Sequence, residues 1–282
     1  MTLIDAIRTF IRSRKQPTSL QDLYAHLPEA LHHSVRARIY ENLGQEFKRV
    51  GKGLYVSVEG EATCIVVHGD ALEAAKQLPT QSIDALITDP PYHYVDEHVG
   101  HGTSRPRMQW AFERREIDRE LGLELYRVLK EGAHAFIFVP AETKTTRPHV
   151  EKLIRTIEAS GFVFQKRFIW DKQVLGMGYA GRARYEGMLF FTRGLEKRQP
   201  MDLSVPDVIS CPLIPPGHRR HPCEKPQGLL ETILRFATEV GETVLDIFAG
   251  SCSLGRAALE IGRNAILVEK DEAILKLAGV IP

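Results

Sequence analysis

From residue 62 onward, short apolar runs alternate with segments in which apolar residues recur every three or four positions. The runs 63–68, 83–89, 135–139, 162–170, 188–192, 244–248 and 265–269 predict seven strands. Segments near 71–78, 116–130, 149–160, 227–239, 253–261 and 271–278 predict the helices between them. Near-continuous apolar strands separated by helices bury both faces of a sheet. The expectation is an α/β fold, a doubly wound, mostly parallel seven-stranded sheet.

Residues 1–58 follow a different pattern. Helical stretches at 3–14, 19–26 and 30–43 precede two short runs, 47–50 and 54–56, divided by Gly51-Lys52-Gly53. This looks like a small winged helix with Lys52 at the tip of its wing. The third helix carries His32, His33, Ser34, Arg36 and Arg38, side chains suited to phosphates and base edges. Protein docking, or a merely solvated face, fits the same residues. Glu59-Gly60-Glu61 is a polar link, so the expected domains are 1–58 and 62–282.

Composition changes this picture little. The chain has 282 residues, a formal charge of +1 and 26% charged residues, a balance that neither requires nor excludes nucleic acid. No apolar run approaches the ~20 residues that span a bilayer, and no signal-peptide pattern opens the chain. The expectation is a cytoplasmic protein with no membrane partner. Cys64, Cys211, Cys223 and Cys252 form no Cys-x-x-Cys pair and read as reduced structural thiols. His93, His98 and His101 read as polar loop residues rather than as a metal site, so no metal is expected.

The densest chemistry is Thr88-Asp89-Pro90-Pro91-Tyr92, at the end of the buried run 83–87. The double proline stops ladder hydrogen bonding and leaves Asp89 at the strand's carboxyl end, where parallel sheets bind ligands. An exocyclic amino group on a nucleobase is a poor nucleophile because its lone pair is delocalised into the ring. Asp89 and the Pro90 carbonyl, accepting its two N–H bonds, would favour a pyramidal nitrogen and stabilise the charge that develops on it. Tyr92 offers a face on which an extruded base stacks.

Other strand ends carry further candidates. Asp70 follows Gly69 after the first strand of the larger domain, where it suits either a cofactor's adenine or the capping of a helix. Residues 94–108 make a long polar loop in which Arg105 and Arg107 are candidate DNA contacts. Trp170-Asp171-Lys172, a Gly-rich loop with Arg182 and Arg184, and Tyr185-Glu186 read as a hairpin that tracks a phosphate backbone or lines a base pocket. Lys225, in His221-Pro222-Cys223-Glu224-Lys225-Pro226, lies beside a helix start and suits a cofactor carboxylate. The strand 243–248 runs through Asp246 and Phe248 into the small-residue turn at Gly250 and Ser251, and Glu269 ends the next strand. An acid there suits the ribose hydroxyls of an adenosine-containing cofactor.

Together these segments resemble the DNA amino-methyltransferases, and their order is similar to the β group, a circular permutation of the usual sheet. Asp-Pro-Pro-Tyr resembles the adenine enzymes more than the cytosine ones. The resemblance spans residues 64–272 and implies a permuted Rossmann-like fold that binds S-adenosylmethionine. It implies N6 methylation of adenine in a specific sequence of double-stranded DNA after base flipping, and it places target recognition at residues 194–220. Asp89, Pro90 and Tyr92 would be catalytic, and Asp70, Lys225, Asp246, Phe248, Gly250, Ser251 and Glu269 would bind cofactor. Arg36, Arg38, Lys52, Arg105, Arg107, Arg182 and Arg184 would contact DNA. Ile247 and Cys252 replace the Pro and second Gly of the family's Asp-Pro-Phe-x-Gly-Ser-Gly form. A homodimer and a cognate restriction endonuclease are candidate partners. Cytosine N4 methylation, RNA methylation and a catalytically degenerate winged-helix regulator stay open.

Overall fold

A computed structural model of the protein describes residues 2–13, 18–41, 47–51, 54–57, 62–91, 116–176, 181–220 and 223–280. The N-terminal unit holds α1 (Leu3–Ser13), β1 (Thr18–Ser19), α2 (Leu20–His26), α3 (His32–Glu41), β2 (Phe47–Gly51) and β3 (Leu54–Ser57). Ser19 and Asp22 form a reciprocal capping box that starts α2. Ile7, Ile11, Leu23, Val35 and Ile39 form its core. The strands pair antiparallel in the order β1-β3-β2.

The larger unit is an eight-stranded sheet. Its elements are β4 (Cys64–His68), α4 (Ala71–Gln77), β5 (Ile83–Thr88), α5 (Arg119–Val128), β6 (Leu129–Val139), α6 (Thr146–Ala159), β7 (Phe162–Asp171), β8 (Tyr185–Arg193), β9 (Val208–Ser210), α7 (Gln227–Ala237), β10 (Thr243–Asp246), α8 (Ser253–Glu260), β11 (Asn264–Glu269) and α9 (Glu272–Leu277). The strand order is β4-β11-β10-β5-β6-β8-β7-β9, and only β8 runs against its neighbours β6 and β7. One core packs α4, α5 and α6 on one face; the other packs α7, α8 and α9 on the opposite face. The order reverses between β10 and β5, since β10 leads to β11 on one side and β5 to β6 on the other. Ligands bind at the carboxyl ends of such a switch point.

β5 is buried along its whole length. Its one charged residue, Asp84, is satisfied by Lys130 at 2.6 Å and by the backbone N–H of Thr243 at 3.0 Å, so it ties β5 to both neighbouring strands.

Two expectations need correction. The sheet has eight strands rather than seven, because β9 lies within 194–220 and pairs parallel to β7. The Trp170 indole donates to the Cys211 carbonyl at 2.7 Å, fastening this segment to the sheet. The helix expected at 116–130 ends at Val128, and β6 begins at Leu129, well before residue 135. Leu129 continues the apolar spacing of α5, which masks the boundary.

Candidate active site at the carboxyl edge of the sheet

Four elements converge next to β5. Asp89 follows the strand directly, and its Oδ2 accepts a hydrogen bond from Lys225 Nζ. Lys225 lies just before α7 and is 8% exposed, an enclosure that an ammonium tolerates only with partners. Glu186, on β8, stands 3.5 Å from the same nitrogen, and the Phe138 ring lies 4.9 Å from it. Lys172, just past β7, reaches the other oxygen of Glu186 at 3.3 Å. Burial alone would lower Lys225, but Asp89 and Glu186 outweigh it and hold the ammonium above the usual lysine range.

Across the switch point the construction differs. The turn after β10 passes through Gly250 at φ +51° and Cys252 at φ +58°. Glu269 accepts the Gly250 N–H at 2.7 Å through one oxygen and the Asp271 N–H at 2.9 Å through the other. Asp246 accepts the Thr88 hydroxyl at 2.7 Å and the Phe248 N–H at 3.0 Å, so it joins β10 to the end of β5. Burial, with Asp89 and Glu269 nearby, pushes its carboxyl up to about 7 against those hydrogen bonds. Burial likewise pushes the Cys252 thiol up to about 12.

A side-chain carbon added at Gly250 or Gly69 would meet nothing within 4 Å, so open space lies over both turns. Asp70 caps α4 through the Leu72 N–H at 2.9 Å, and its second oxygen lies 4.0 Å from Lys270. These turns and acids fit an adenosine-containing cofactor. Each carboxylate oxygen of Glu269 keeps a further acceptor site for a ribose hydroxyl.

The chain matches the family model described as DNA methylase over residues 83–279. It belongs to the N6/N4 DNA methylase family. A curated relative, DNA adenine methyltransferase YhdJ of Escherichia coli strain K12, is 24% identical, with 77% of this chain and 82% of that protein covered. The crystal structure of the M1.HpyAVI–SAM complex matches at TM-score 0.56 and 22% identity, covering 77% of this chain and 98% of the other. The cytosine-N4-specific PvuII DNA methyltransferase matches at TM-score 0.59 and 18% identity, covering 78% and 86%.

In this methylase the structure brings Asp89, Pro90, Lys225, Asp246, Phe248, Gly250, Ser251 and Glu269 to one edge. Tyr92, Lys52, Arg105 and Arg107 lie outside the described residues. Arg184 grips Asp171 through two nitrogens, at 2.6 and 2.8 Å, and holds its carboxyl down at about 2. Arg182 donates to the Gly176 carbonyl at 2.9 Å, Arg36 lies over the Tyr40 ring, and Arg38 pairs with Glu41. Glu186 and Lys172 belong to the hairpin motif, and their link to Asp89 through Lys225 spans distant parts of the sequence, which motif spacing does not reveal. Among the described residues no cluster of acids, His and Cys could hold a metal, and no helix is long and apolar enough to cross a membrane.

Proposed function

We propose that this methylase transfers the methyl group of S-adenosylmethionine to the N6 amino group of adenine in double-stranded DNA, with the target base flipped out. The observation that carries this reading is Asp89, fixed by two prolines at the end of β5 beside the switch point, in a family that acts on exocyclic amines. When bound, the cofactor supplies a methyl carbon whose bond to a positively charged sulfur breaks with its electron pair left on sulfur. Asp89 and the Pro90 carbonyl accept the N–H bonds of the amine, Asp89 stabilises the positive charge as the new N–C bond forms, and the surplus proton leaves to water. Tyr92 stacks on the base. Glu269 and Asp70 hold the adenosine half of the cofactor over the Gly250 and Ser251 turn, while Asp246 and Phe248 shape that turn.

The form Asp-Pro-Pro-Tyr and the adenine activity in the name of YhdJ support adenine. Cytosine presents the same two N–H bonds to Asp89, so its N4 position is the alternative that nucleoside analysis separates. The three helices and three-stranded sheet of the N-terminal unit support a winged helix that shares the DNA grip through Arg36, Arg38 and Lys52. Residues 194–220 assist in target recognition, and Arg105, Arg107, Arg182 and Arg184 follow the backbone. A homodimer, a cognate restriction endonuclease and a cytoplasmic location belong to this reading.

Purified protein, given methyl-labelled S-adenosylmethionine and DNA of mixed sequence, should yield labelled N6-methyladenine. Labelled N4-methylcytosine alone would replace the adenine assignment. Deleting residues 1–58 should weaken DNA affinity about 10-fold or more at moderate salt, and unchanged affinity would remove the winged helix from the grip.

A further inference from the structure

Lys225 is a buried cation at the site, and its two carboxylate neighbours are held unequally. Asp89 accepts its hydrogen bond. Glu186 Oε2 is buried, makes no hydrogen bond, and stands 3.5 Å from the same nitrogen. Lys172 anchors only the other oxygen of Glu186, at 3.3 Å. A buried carboxylate oxygen without a hydrogen bond is costly, and here it faces a cation slightly beyond bonding distance.

We propose that Lys225 is a movable ammonium, passed from Asp89 to Glu186 when an amino group binds Asp89, which makes Glu186 a positioning residue for methyl transfer. The inference rests on the proposed role of Asp89. An ammonium fixed on Asp89 would compete with the base for that carboxylate, weaken it as an acceptor, and repel the positive charge that develops on the base nitrogen. Glu186 eases both obstacles, because its open oxygen, 3.5 Å from the ammonium, can receive it after a short shift. The Phe138 face stabilises the cation in either position, since it lies 4.9 Å from Nζ. No proton changes hands: the two nearby acids keep Lys225 charged, and the formal charges of Asp89, Glu186, Lys225 and Lys172 cancel. Burial confines the movement to these two partners, as the Lys225 side chain is 9% exposed.

Two readouts test the exchange. In steady-state methylation, Glu186→Gln should lower kcat about 10- to 100-fold while KM for S-adenosylmethionine stays within about 2-fold, and Glu186→Asp should recover part of the loss because it restores the charge. A kcat within about 2-fold in Glu186→Gln, or an equal loss in Glu186→Asp, would overturn the proposal. The second readout needs neither cofactor nor DNA: the Lys225 side-chain nitrogen is followed by NMR against pH in 15N-lysine-labelled protein. In Asp89→Asn, the ammonium should move to Glu186 and keep its elevated titration; in Asp89→Asn with Glu186→Gln, that elevation should disappear. Identical Lys225 titrations in the two variants would overturn the exchange. Should the wild-type protein transfer no methyl group while the two variants differ in this way, the methylation reading would be refuted and the exchange left intact.

Discussion

The two sides of the switch point are built from different materials. On the β10–β11 side, the carboxylates of Glu269 and Asp246 are fixed mainly by backbone N–H groups, with Thr88 adding its hydroxyl. On the β5–β8 side, Asp89, Lys225, Glu186 and Lys172 hold one another through side chains from four elements. A backbone cradle suits a ligand that binds the same way on every turnover. A side-chain network suits a group whose partners change during the reaction. Under the proposed function, the first side is the cofactor seat and the second is the place where charge moves.

Removing the acid on each side in turn separates the two roles. Asp89→Ala should lower methyl transfer about 1000-fold or more while changing S-adenosylmethionine affinity by less than about 3-fold, as stopped-assay kinetics and calorimetry would show. Equal losses in both quantities would mean that the sides are not distinct. Glu269→Ala should act in reverse. It removes a charged acceptor for the ribose hydroxyls and should weaken cofactor binding about 10- to 100-fold, with kcat at saturating cofactor changed much less.

The smallest effect concerns Asp246, at the seam between the sides. Its carboxyl stands near 7 in the fold, above the ordinary value of 3.8, so the folded protein holds a proton that the unfolded chain releases. The contribution of this group is therefore fully present below about pH 3.8 and is lost as pH rises through about 7. Asp246→Asn keeps the amide oxygen as acceptor for Thr88 and Phe248 and cannot ionise. Relative to wild type it should gain stability between pH 5 and pH 8, by at least about 1 kcal/mol, in denaturant melts. A stability difference that does not vary with pH would contradict this placement of Asp246.

Much of the sheet was legible because its strands are buried and apolar, and β5 shows this most plainly. β9 was not, since three residues with only Ile209 buried leave no periodic trace. β1 is shorter still, and only its pairing with β3 defines it. The candidate site was legible one strand end at a time: Asp89, Gly250 and Glu269 each stand where an apolar run stops. Their partners were not legible in that way. Lys225 meets Asp89 across 136 positions of sequence, a pairing that its place beside a helix start does not disclose. Glu186 and Lys172 show the same difficulty, because a charge network closes only when β7, β8 and the start of α7 are brought together at one edge.

The most direct test of the account is nucleoside mass spectrometry of DNA incubated with S-adenosylmethionine carrying a deuterated methyl group and either wild-type protein or Asp89→Ala. The account predicts deuterated N6-methyladenine from the wild type and almost none from the variant. Equal amounts from both proteins, or no deuterated nucleoside from the wild type, would contradict it.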